Sequence, residues 1–167
     1  REFCLAYKAK PGFKTIYLDN SCYELGGSLD NNILHEYDKL LNPDILILPD
    51  VLGEQQDTIT RTVEYLDEHP EAAGYGMAVI QGASFDEMIE CYQYFRDYRN
   101  ADDMDITMIG IPFVFSWVEK SPYMQTLTRM KLLRYLSETK ILDKNRRHHL
   151  LGTWQPYEFL DYQEIGR

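Results

Sequence analysis

Ile45-Leu46-Ile47-Leu48 is a run of four apolar residues closed by Pro49 and Asp50. Four residues are too few for a helix, and a run without polar alternation suits a strand buried on both faces. Such strands belong to parallel sheets, whose crossover helices cover them. The stretch therefore directs the chain toward an α/β architecture. A carboxylate at the tip of a buried parallel strand points to the end of the sheet where α/β proteins keep their sites. Asp50 is a candidate functional residue on that ground. The alternative is that it caps the helix that follows.

The rest of the chain repeats this unit. Thr15-Ile16-Tyr17-Leu18 predicts a strand ended by Asp19-Asn20-Ser21, and Gly76 to Ile80 predicts one ended by Gln81-Gly82. Ile106 to Ile111 predicts a strand that carries Gly110 and stops at Pro112, and His148 to Gly152 a short one. Phe3 to Lys8 is a further candidate. Between them lie helical periods. One runs from a cap at Asn31 or Asn32 to about Leu41, and one from about Asp57 to Glu68 with Ile59, Val63 and Leu66 on one face. One starts at Ser84 with Phe85, Met88, Ile89, Tyr92 and Phe95 on one side. One opens at Ser121-Pro122 and runs to about Thr139, proline being at home in a first turn, and a last one begins at Pro156. Phe113 to Lys120 carries no clear period; Phe113, Phe115 and Trp117 either line a pocket or fill core.

Alternating strands and helices imply parallel strands joined by right-handed crossovers. Polar residues or glycines at successive strand ends fit the top face of a (β/α) TIM-barrel-like fold, with a flavodoxin-like open sheet as the rival. About six strands are legible, against the eight strands and about 250 residues of a closed barrel. The expectation is one barrel-like α/β domain over residues 1–167, incomplete or truncated here and part of a longer chain.

Composition narrows the function. Hydrophobic residues make up 44% and charged residues 26% of 167, as in a folded globular domain. A net charge of −10 argues against a general phosphate-binding surface, although Lys144 to His149 form a local basic patch. No apolar run approaches the length of a membrane span, so no membrane partner is expected. Cys4, Cys22 and Cys91 are widely spaced without a Cys-x-x-Cys pair, which fits reduced thiols and a cytoplasmic location.

The strand ends taken together carry a resemblance. Leu18-Asp19-Asn20-Ser21, the strand ending in Pro49-Asp50, Val79-Ile80-Gln81-Gly82, Ile109-Gly110-Ile111 and Leu150-Leu151-Gly152 follow one another in order and at suitable spacing. In this they resemble the queuine tRNA-ribosyltransferase family, the tRNA-guanine transglycosylases, and most of all its relatives that place 7-deazaguanine bases in DNA. The resemblance implies base exchange through a covalent intermediate on a carboxylate nucleophile, which splits one difficult displacement into two easier ones. It implies that Asp19 is the general acid/base beside the base. It implies that Asp50 accepts from the ring NH and exocyclic amine of a guanine-like base, and that Gln81 donates to the base carbonyl. Gly82 and Gly110 would let backbone NH groups approach the base. Phe113 or Tyr23 would stack on it.

The partners implied are a nucleic acid, DNA before tRNA, and a guanine-like or 7-deazaguanine base such as preQ0. No cofactor and no metal are implied. The resemblance also departs from the family. Its nucleophile lies beyond the Leu-Met-Gly element, about where this chain stops, and its zinc-binding cysteines have no counterpart. A non-catalytic partner subunit that keeps a base pocket is therefore the alternative function. Other readings stand beside the individual residues. Asp19-Asn20-Ser21 also reads as an Asx turn and Gln81-Gly82 as a plain turn, while Gly152 reads as a structural glycine. His148 and His149 lack neighbours at metal spacing and read as strand or loop histidines.

Overall fold

A computed structural model describes residues 12, 15–25, 28–153, 155–156 and 158–165. The strand expected at Phe3 to Lys8 and the side chain of Tyr23 lie outside the described residues. The order is β1 (Tyr17–Leu18), α1 (Cys22–Leu25), α2 (Asn31–Leu41), β2 (Ile45–Ile47), α3 (Gln55–Glu68), a 3-10 turn (Pro70–Gly74), β3 (Gly76–Val79), α4 (Phe85–Asp97), β4 (Met108–Ile111), α5 (Pro122–Glu138), β5 (Arg147–Leu150) and α6 (Glu158–Ile165).

The helices start where their capping chemistry allows. Asp30, one residue before the predicted cap, accepts from the amides of Asn32 and Ile33 and opens α2. Ser84 accepts from the Glu87 amide and opens α4 as predicted, with Asp86 and Glu87 in the first turn complementing the dipole. Asn42 ends α2 in the left-handed conformation that asparagine tolerates. Of the predicted apolar face of α4, Met88, Ile89, Tyr92 and Phe95 are buried, and Phe85 is half-buried against the same core.

The five strands among the described residues are parallel and lie side by side in chain order. A flavodoxin-like sheet reverses its strand order and carries helices on both faces; this sheet does neither. Leu46, Leu48, Ala78, Ile80, Ile109 and Ile111 form one core with residues of α2 to α5. Their alternates Ile45, Ile47, Met77, Val79 and Met108 pack with one another and Leu151, with no helix residue among them. Strand side chains point alternately to the two faces, so among the described residues the helices cover one face only. The other face is concave, and its strand residues are buried within the curl. Tyr17 on β1 and His149 on β5 bring their ring centroids within 5.2 Å, although four strand intervals span about 19 Å in a flat sheet. Among the described residues the sheet does not close: β1 and β5 remain its two edges.

Beneath α2 and α3, His35 and His69 stack with centroids 3.6 Å apart, and Tyr65 meets His69 edge-on. Burial, followed by the neighbouring His35, lowers the pKa of His69. Burial also lowers those of His148 and His149. A histidine with a lowered folded pKa binds fewer protons folded than unfolded, so its contribution to stability is complete above about pH 6.5 and is lost as pH falls through the folded value. The urea midpoint is expected to fall between pH 7.5 and 5.5, with a smaller fall in His69→Phe, which keeps the stack and removes the titration. Equal slopes for both proteins would exclude His69 as a contributor.

Candidate functional site

The cavity that joins the predicted strand ends lies at their C-terminal side and has a volume of about 420 Å³. Asp19, Asn20 and Cys22 line it from the end of β1, Ile47 and Asp50 from β2, Val79 and Gln81 from β3, Pro112 and Phe113 from β4, and Leu151 and Gly152 from β5. Most of these residues are apolar. The polar groups converge on Asp50.

Asp50 is only 4% exposed. It does not cap α3, whose N-cap is Glu54. Instead, Asn20 Nδ2 donates to Asp50 Oδ1 at 2.8 Å and Gln81 Nε2 donates to Asp50 Oδ2 at 2.7 Å. The two amides are themselves held. Asn20 Nδ2 also donates to the Leu48 carbonyl at 2.7 Å, and its Oδ1 accepts from the Cys22 amide. Gln81 Oε1 accepts from the Gly53 amide at 3.1 Å. Ser28 Oγ accepts from the Asp50 amide at 2.8 Å. A carboxylate has about four acceptor positions; the two amides and the Cys22 thiol, which also donates to it, leave about one.

Burial raises the pKa of Asp50 above the usual carboxylate value, opposed by the hydrogen bonds from Gln81, Asn20 and Cys22. Cys22 is affected more strongly. Burial and then the Asp50 charge push its thiol up to about 12, so it is a neutral donor at ordinary pH and only a slow nucleophile.

The other predicted residues divide. Asp19 lines the cavity at an exposed position, and its Oδ1 accepts from the Ser21 amide at 2.8 Å. This is the Asx turn weighed above, and it leaves Oδ2 available. Phe113 lines the cavity beside Gly152. Gly82 and Gly110 do not line it. A Cβ on Gly82 would come within 2.8 Å of Glu87 Cβ and 3.0 Å of the Met88 amide, so α4 requires this glycine. Gly110 sits inside β4, level with Val79, and a Cβ there would meet Leu151 and Val79 at 2.9 and 3.1 Å. Both are packing glycines under or behind the cavity. Gly152, read from sequence as structural, does line it, with φ +60.

His148 pairs with the Tyr92 hydroxyl at 2.8 Å. Among the described residues no group of three His, Cys, Asp or Glu could hold a metal. Among the described residues no helix is long and apolar enough to cross a membrane.

Sequence reasoning passed over Asn20, which is 1% exposed and holds Asp50 from the other side. Its one signal was a polar pair, Asp19-Asn20, at a strand end, where alternation sends one side chain outward and the next inward. Cys22 gave no signal of its own. No protein-family model matches the chain, and no curated protein matches it closely.

Proposed function

We propose that this cavity binds a guanine-like base and that the chain is the base-recognition part of a base-exchange transglycosylase. In this reading the enzyme replaces guanine with a 7-deazaguanine base in a nucleic acid, DNA before tRNA, and the curled five-strand sheet is an arc of a TIM-like (β/α) barrel. The observation that carries the reading is Asp50. Its carboxylate lies in an apolar cavity at a strand tip, fixed by two amides. When the Cys22 thiol turns aside, each oxygen offers an acceptor position to one of two adjacent donors, which the ring NH and exocyclic amine of guanine supply. Ile47, Val79, Leu52 and Phe113 offer apolar and aromatic contact to a flat heterocycle. Asp19 at the exposed rim takes the place of a general acid/base.

A second reading is favoured by one fact. Among the described residues Asp19 and Asp50 are the only carboxylates lining the cavity, and both are assigned to the base side. Covalent exchange needs a further carboxylate on the far side of the sugar. A non-catalytic base-binding subunit is therefore the alternative.

Calorimetry with preQ0 or guanine tests the shared part, binding at this cavity; no heat of binding with either base would end both readings. A labelled-guanine exchange assay on duplex DNA and on tRNA separates them. The chain by itself is expected to incorporate no label. The target base must also leave its stack, at a cost of a few kcal/mol in a duplex. Incorporation by this chain alone would assign the nucleophile to a residue within it and overturn that expectation.

A further inference from the structure

Arg129 on α5 and Glu158 at the start of α6 are both fully buried. Arg129 Nη2 donates to Glu158 Oε2 at 2.5 Å and to Thr153 Oγ1 at 3.3 Å. Nη1 donates to the main-chain carbonyl of Leu151. The guanidinium carbon lies 5.2 Å from the centroid of the Phe113 ring. Glu158 is held in turn by Thr126 Oγ1 at 3.3 Å and by the Tyr162 hydroxyl at 2.8 Å.

Two of these partners, Leu151 and Phe113, line the cavity. They stand at the ends of neighbouring strands, β5 and β4. Between them Gly152 takes a positive φ, and a Cβ there would approach Phe113 Cβ to 3.2 Å. One guanidinium outside the cavity lining thus touches both strand-end segments that form one wall. Stability does not call for such a group. A buried ion pair is costly to desolvate, and well-packed apolar residues of the same volume do as well or better. The planar fork of arginine suits a place where a carbonyl, a hydroxyl, a carboxylate and a ring face must be held in one fixed geometry.

We propose that Arg129 is a positioning residue for the cavity. It fixes the wall formed by Phe113, Leu151 and Gly152 and so sets the width of the opening, with Glu158 neutralising and orienting it. The consequence for base affinity rests on the reading above; the consequence for the cavity does not.

Cys22 and Cys91 make the two separable. Cys22 lines the cavity on its opposite side, at the end of β1, while Cys91 lies in the core on α4, fully buried. The experiment follows alkylation of both thiols by N-ethylmaleimide with peptide-resolved mass spectrometry. It compares the wild-type chain, Arg129→Lys, and the double variant Arg129→Met with Glu158→Gln, which removes both charges and keeps the volume. Loosening of the wall is expected to raise the Cys22 rate on the order of tenfold in the double variant while the Cys91 rate holds, as for a local opening. Arg129→Lys, which keeps the charge and loses the fork, is expected to fall between.

Affinity for preQ0 should drop on the order of tenfold with the displaced wall. Equal acceleration of Cys22 and Cys91 would mean that Arg129 only stabilises the fold and would overturn the proposal, as would an unchanged Cys22 rate. Should the double variant not fold, the ratio of the two rates in Arg129→Lys decides by the same criteria. A wild-type chain that binds no preQ0 would end the base reading and leave the thiol comparison to judge Arg129.

Discussion

Asp50→Ala is expected to weaken binding of preQ0 or guanine by about 2–4 kcal/mol, or roughly 30- to 1,000-fold. Two losses combine. The ligand loses a charged acceptor for two neighbouring donors. The amides of Asn20 and Gln81, which now meet the carboxylate at 2.8 and 2.7 Å, lose theirs as well and are left in a buried place. Asp50→Asn should recover little, although it fits the same space. Its NH2 group would face one of two amide donors, and both amides have their oxygens committed, to the Cys22 and Gly53 amides. Turning either over would break one of those bonds.

The pH dependence follows from the same burial. The Asp50 pKa is raised, chiefly by desolvation. The acceptor form is therefore lost at a higher pH than for an ordinary aspartate, and affinity should fall as pH is lowered through that raised value. Calorimetry of the wild type and both variants between pH 7.5 and 4.5 tests all three points. Equal affinity for wild type and Asp50→Ala at pH 7.5 would remove Asp50 from the site.

The largest loss of stability is expected from Glu158→Ala. Arg129 would keep its charge in a fully buried position without its carboxylate, and breaking a buried pair in this way costs about 3–5 kcal/mol. For a chain of this size each kcal/mol lowers the melting temperature by about 2–4 °C, so a fall of about 10 °C is expected. Removing both charges together, Arg129→Met with Glu158→Gln, should restore most of it, because the cost lies in the orphaned charge and not in the missing attraction. Thermal and urea unfolding followed by circular dichroism give both numbers. A loss of under about 1 kcal/mol in Glu158→Ala would mean that water reaches the guanidinium when its partner is gone.

Much of this molecule was legible without coordinates, and the reason is that the legible parts are local. The four-residue apolar run at Ile45 to Leu48 could only be a buried strand, and β2 lies there with both faces covered. The 3.6-residue period of Phe85 to Phe95 and the Ser84 cap belong to one helix and need no partner to be read. The placement of Asp19, Asp50 and Gln81 around one cavity followed from a single rule about parallel strands: their C-terminal ends share one edge of the sheet.

The tertiary structure decided what depends on register and on residues far apart in sequence. Gly82 and Gly110 lie in strand-end motifs like Gln81, yet neither lines the cavity, because α4 packs against Gly82 and the side chains of Leu151 and Val79 close over Gly110. Asn20 meets Asp50 across 30 residues of chain, Gln81 meets it across 31, and Arg129 meets Glu158 across 29. No local pattern encodes such pairs, since a lone asparagine or arginine has the same appearance in sequence whether it faces water or a buried carboxylate. The curl of the sheet belongs here too. Alternation in β2, β3 and β4 assigns each residue to a face, but only the contact between Tyr17 and His149 shows that the face without helices folds toward itself. Strand pairing angles accumulate over the whole sheet, and no single strand carries that sum.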